Sequence, residues 1–156
     1  MNTLPQQGQV RWIGLRPARR EPMEVVTAVR ATVEAGLAGD RFSARAGSPR
    51  QVTLIQWEHL RVIASLLGRA SVEPASLRRN IAVSGINLLA LKGKRFFAGG
   101  ALLECTGVCA PCSRMEEAFG AGGYNAVRGH GGITARVLET GKIELGDEVA
   151  VKVEHA

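Results

Sequence analysis

Three cysteines, Cys105, Cys109 and Cys112, fall within eight positions, and no other cysteine occurs in the chain. A strand-like apolar run, 101–105, ends at Gly107, and Pro111 fixes the backbone one residue before Cys112. Ser113-Arg114-Met115-Glu116-Glu117 then has helix-forming composition, so Cys112 is expected near a helix start. There, unpaired N–H groups and the positive end of the helix dipole lower a thiol pKa, and Arg114 adds a cation. A thiolate so placed can attack an electrophile or bind a metal. Cysteines also fill core edges as small apolar residues, which is the reading adopted for Cys105.

A second group of residues suits anions. Arg78 and Arg79 stand side by side before the buried-looking strand Ile81-Ala82-Val83, where two adjacent guanidiniums repel each other and are costly to leave unpaired. An anion between them relieves that cost, and Asn80 offers both a donor and an acceptor for a phosphate or heterocycle edge. A pair of solvent-facing arginines at a strand mouth fits the same residues. Further on, Arg128-Gly129-His130-Gly131-Gly132 combines glycines with an arginine and a histidine, letting backbone N–H groups approach an anion closely. The GxGxxG and Walker spacings are both missing. The net charge is +6, and only Lys92, Lys94, Lys142 and Lys152 are lysine, so the positive charge is carried mainly by arginine. Arginine's planar fork suits phosphate or carboxylate, although genomic composition bias produces the same excess. Aromatic residues make up just 4%, with no basic blocks between them, which argues against nucleic acid and for a small anion.

The elements that must position these residues follow from patterning. With 156 residues, 46% hydrophobic and 22% charged, the chain reads as one globular domain over residues 1–156. No apolar run reaches membrane-spanning length and the first residues lack signal-peptide features, so a cytoplasmic protein without membrane contact is expected. Residues 8–15 and 23–33 read as strands around an Arg-Pro loop at 16–22. A turn at 36–42 offers Asp40 and Arg41, and the polar run to Arg50 suits a loop or lid over a pocket. Val52-Thr53-Leu54-Ile55 is a short strand. Leu60, Ile63, Ala64 and Leu67 then repeat at helical spacing until Gly68 stops the helix, which carries His59 without a partner at ligand spacing. Short helical turns are expected at 74–77 and 87–91, a hairpin through Gly99-Gly100, and strands at 133–138 and on either side of Gly146-Asp147. The expectation is a β-rich α+β fold, a mixed, mostly antiparallel sheet of about eight strands curled into a barrel with two or three peripheral helices.

In that order the segments resemble the MOSC family, the domain also found at the C-terminus of molybdenum cofactor sulfurases. The resemblance spans about residues 36–151. It rests on Gly39-Asp40-Arg41-Phe42, on Arg50-Gln51-Val52-Thr53-Leu54-Ile55, on Arg78-Arg79-Asn80-Ile81-Ala82-Val83-Ser84-Gly85, on Pro111-Cys112, and on Gly141-Lys142-Ile143-Glu144-Leu145-Gly146-Asp147-Glu148-Val149. It implies a β-rich mixed fold that handles molybdenum cofactor or sulfur. The family cysteine is thought to carry sulfur delivered by a pyridoxal-phosphate cysteine desulfurase, and in the mitochondrial amidoxime-reducing relatives it ligates the molybdenum of a bound pterin cofactor. That cysteine carries over to Cys112, with Cys109 as the fallback, and the Arg-x-Asn-Ile pattern to Arg78 and Asn80. The cofactor's phosphate would find arginine forks and backbone donors in Arg78, Arg79, Arg128 and the stretch around Gly131. The larger relatives' desulfurase domain and extra N-terminal β domain are missing, so sulfur would come from a desulfurase partner, or electrons from a flavin or iron–sulfur protein. Three readings stay open: a molybdenum-cofactor-dependent reductase of N-hydroxylated small molecules, a persulfide carrier, and a non-catalytic zinc module on Cys105, Cys109, Cys112 and His130. The zinc reading has a C-x3-C-x2-C spacing without a compact fourth ligand.

Overall fold

Short apolar, β-branched runs punctuated by glycine favour many short strands over a few long ones. The computed structural model describes residues 7–41, 46–110 and 114–153, and among these it has eleven strands and three α-helices. In chain order the first half comprises β1 (Gly8–Leu15), β2 (Glu24–Val26), β3 (Ala28–Thr32), β4 (Gly36–Leu37), β5 (Val52–Gln56), α1 (Trp57–Leu67) and β6 (Ile81–Ser84). There follow β7 (Arg95–Ala98), β8 (Ala101–Val108), α2 (Arg114–Phe119), α3 (Gly123–Val127), β9 (Ile133–Glu139), β10 (Gly141–Glu144) and β11 (Glu148–Val151). Short 3-10 turns at Pro74–Leu77 and Leu88–Leu91 sit where helical turns are expected.

The main sheet runs β11-β7-β8-β9-β5-β6-β1, and β1 pairs back onto β11, closing a seven-stranded barrel that leaves no edge along the ring. β2 hangs on β1, and β10-β3-β4 form a separate three-stranded sheet. β5 and β6 run parallel, joined by the crossover through α1, and every other pairing among the described strands is antiparallel. This is the mixed, β-rich barrel with peripheral helices that the patterning implies.

Two cores hold it together. Ile13, Leu54, Ile81, Phe96, Leu103 and Ile133 fill the barrel, with Cys105 among them. Outside it, Ile63 of α1, Leu77, Met115 and Phe119 of α2, and Val127 of α3 pack on Ile55 and Ala82. β5 and β6 are therefore buried on both faces, which is why they read as continuous apolar runs. α1 ends where the sequence stops it, at Gly68 in the left-handed region (φ 69°).

Three details depart from the sequence reading. Residues 23–33 form two strands that break at Thr27 and join different sheets. β10 and β11 likewise part into different sheets around Gly146-Asp147. The glycine-rich stretch after the cysteines contains a helix, α3, because Gly123 packs against α2 so closely that a Cβ there would lie 2.2 Å from the Met115 carbonyl oxygen. Among the described residues no helix is long and apolar enough to cross a membrane.

Candidate functional site: an arginine-lined pocket beside the cysteine segment

One row of paired residues crosses five strands: Ile13 on β1 faces Ile81 on β6, Ile81 faces Leu54 on β5, Leu54 faces Ile133 on β9, and Ile133 faces Val108 on β8. Arg16, Arg50, Arg79, Gly131 and Cys109 all lie within four residues of that row in their own segments. Closing the barrel therefore gathers residues far apart in sequence.

Arg16, Arg50 and Arg79, with Arg20, Arg41 and Arg78, line a pocket of about 480 Å³. Ser76 and Leu77, from the 3-10 turn, and Met115, Glu117 and Ala118 of α2 complete it. α2, which begins at Arg114, follows the cysteine segment in sequence. Cys112 itself, with Pro111 and Ser113, lies outside the described residues, as do Phe42 and residues 43–45 of the polar run expected as a loop or lid.

Several of the arginines are fixed by the fold. Asp40 is buried and takes Arg16 in a two-pronged pair, Nη2 to Oδ2 at 2.9 Å and Nε to Oδ1 at 3.2 Å, while the Arg16 backbone N–H donates to Oδ1 at 2.7 Å. Arg78, in the left-handed region at φ 53°, donates to the carbonyl oxygens of Glu21 at 2.6 Å and Ala18 at 3.3 Å, tying down the loop at 16–22. Arg79 is 7% exposed, and its Nε donates to the Gly131 carbonyl at 2.8 Å and its Nη1 to the Leu77 carbonyl at 3.1 Å. The segment bearing Arg50 is held by Thr106, which sits at a bulge in β8, donates to the Pro49 carbonyl and bonds Thr134 Oγ1 at 2.8 Å.

Arg79 also links the pocket to the cysteines. A Cβ on Gly131 would lie 2.4 Å from the Cys109 carbonyl oxygen and 3.3 Å from Arg79 Nη2, so glycine is what lets the three meet. The Cys109 N–H donates to the Gly132 carbonyl at 2.8 Å, and the residue is 3% exposed with a free thiol. Cys105 faces the barrel interior, where burial pushes its thiol above the ordinary range, as suits a core residue. That removes one ligand from the zinc reading. Among the described residues no three of His, Cys, Asp and Glu converge where a metal could sit.

Asn80 stands behind the pocket wall, fully buried. Its Oδ1 accepts from the Thr53 N–H and Oγ1, both at 3.1 Å, and its Nδ2 donates to the Gly14 carbonyl at 3.1 Å and to Asp40 Oδ1 at 3.3 Å. Arg128 is exposed, with its guanidinium 5.9 Å from the centre of the Tyr124 ring, and is not part of the pocket wall. Reasoning from sequence singled out Arg78 and Arg79 but passed over Arg16, Arg20, Arg41 and Arg50 as pocket residues. A signal existed: the first two lie in the Arg-Pro loop, and the others sit in two of the motifs shared with the family.

The MOSC domain family matches residues 41–150, from the arginine that follows Asp40 to the last barrel strand. The chain belongs to the MOSC domain family. Among solved structures, YuaD from Bacillus subtilis is similar at 21% identity with a TM-score of 0.82, covering 98% of this chain and 100% of that one. YiiM from Geobacillus stearothermophilus (18%, TM-score 0.76, 94% of this chain and 75% of that one) and YiiM from Escherichia coli (19%, 0.71, 95% and 71%) share the fold as well. No curated protein sequence matches the chain. At these identities the structural likeness concerns the fold, and the family as a whole is associated with molybdenum cofactor binding.

Proposed function

We propose that this MOSC domain binds molybdenum cofactor, taking the cofactor's phosphate in the arginine pocket and its metal on the thiolate of Cys112, with Cys109 as the alternative thiol. The observation that carries the reading is the convergence of six arginines on one pocket, one of which, Arg79, meets the Cys109 backbone at Gly131. The residues present fit such a group. Its volume falls in the range of small-molecule sites, about 300–1,000 Å³, and arginine forks match a phosphate's oxygens in geometry and charge. A persulfide carrier has no use for a phosphate cradle.

On this reading the chain's own residues bind and orient. Arg50 and Arg20 meet the anionic group, Arg78 and Arg79 hold the pocket's shape through their carbonyl partners, and Gly131 lets Cys109 and Arg79 approach each other. Asn80 and Asp40 brace the wall from behind. A soft thiolate is a suitable ligand for the metal. The bound cofactor would supply the redox centre for reducing N-hydroxylated small molecules with electrons from a partner flavin or iron–sulfur protein.

The test is elemental analysis and oxidised-pterin fluorescence of protein purified from a host that makes molybdenum cofactor, wild type beside Cys112→Ser. Near-stoichiometric molybdenum and pterin, lost in the variant, are expected. Sulfane sulfur on the thiol without molybdenum would instead assign the chain to persulfide carriage, fed by a pyridoxal-phosphate cysteine desulfurase.

A further inference from the structure

The pocket wall holds a carboxylate among its arginines. Glu117 Oε2 lies 3.4 Å from Arg20 Nη1, with the two side chains 58% and 61% exposed. Arg16, Arg78 and Arg79 are each bound to a buried carboxylate or to carbonyls, whereas the Arg20–Glu117 pair is long and solvated, the kind of ion pair that separates at little cost. The backbone beneath Arg20 is fixed. Arg20 and Arg78 are the two non-glycine residues with positive φ among those described, at 62° and 53°, and both line the pocket. Arg78 donates to the carbonyls of Ala18 and Glu21, which bracket Arg20, and so holds that unfavourable conformation in place. The result is an arginine anchored at its backbone but with a displaceable partner at its tip.

We propose that Glu117 is an internal competitor for this anion site: its carboxylate holds Arg20 until the phosphate of an incoming ligand displaces it. The inference rests on the anion-pocket reading and deepens it. A carboxylate tethered to the same molecule acts at an effective concentration on the millimolar scale, so an incoming anion must compete with it for Arg20. A phosphate-bearing ligand gains Arg20 as it enters, and Glu117 swings into solvent. The site's affinity, and the release of whatever it binds, is thereby set partly by Glu117.

The experiment is an NMR titration of the full chain with inorganic pyrophosphate at low ionic strength, following amides of the loop at 16–22, in wild type, Glu117→Gln, Arg20→Gln and the double variant. Both side chains are exposed, and matching thermal transitions check that each variant is folded. Glu117→Gln should bind pyrophosphate about two- to fivefold more tightly, the scale of an exposed ion pair, and the gain should vanish in the Arg20→Gln background. Wild-type binding with no gain in Glu117→Gln, or the same gain in both backgrounds, would overturn the competitor role alone. No pyrophosphate binding in any of the four proteins would overturn it together with the anion-pocket reading.

Discussion

Asn80 and Arg79 are neighbours in sequence and face different environments. The Asn80 amide spends both of its ends on Thr53, Gly14 and Asp40, tying β5, β1 and the turn after β4 to the mouth of β6. Asn80→Ala would strand those groups without water, costing about 2–4 kcal/mol by the penalty for unmade buried hydrogen bonds. A clear fall in the thermal transition is therefore expected, and an unchanged transition would contradict the bracing role of Asn80. Sequence could mark Arg78-Arg79-Asn80 as polar groups before a buried strand. It could not show that Asp40, 40 positions away, answers the amide, because that pairing exists only once β1 and β6 are side by side. Cys105 was the easier case, since its place inside an apolar run already implied a core thiol.

At the scale of elements, β1 and the α1 stop at Gly68 were legible from alternation and helical spacing. α3 was not, since glycine costs a helix about 1 kcal/mol per residue and only the close approach of α2 makes it worthwhile. α1 is also joined to the segment leaving α3 by an edge-to-face contact of His59 with His130, ring centres 5.0 Å apart. Burial and then the neighbouring charge of His130 lower the His59 pKa below its ordinary 6.5, with Glu58 acting weakly the other way. The unfolded chain thus binds more protons in that window, so stability is complete above about pH 6.5 and declines as pH falls below it. Burial raises the Glu58 pKa, but the Gln56 and Gly85 donors together outweigh it and hold the carboxyl below its ordinary 4.5, so its contribution to stability is complete above that pH and is lost only as pH falls below it. Between pH 7.5 and 5.5, with both limits chosen to bracket the histidine window, wild type should lose more thermal stability than His59→Gln. Equal losses would show that the histidine pair does not couple these helices to pH.

For the whole molecule, barrel closure makes the site. Arg16, Arg50 and Arg79 belong to three different segments, and the pairing of β1, β6 and β5 sets them around one space. The family's motifs made the barrel and part of this set legible, while the pocket depends on strand register, which composition does not encode. A +6 chain that concentrates guanidiniums on one pocket is built to draw in an anion, most strongly at low salt. The measurement that bears most directly on this account is the molybdenum and pterin content of wild type, of the Arg20→Gln/Arg50→Gln pair and of Arg128→Gln, all purified from a cofactor-producing host. Wild type and Arg128→Gln should retain both molybdenum and pterin, and the pocket variant should lose most of each while keeping its thermal transition. Equal retention in all three, or no molybdenum in wild type, would contradict the assignment of the pocket to the cofactor.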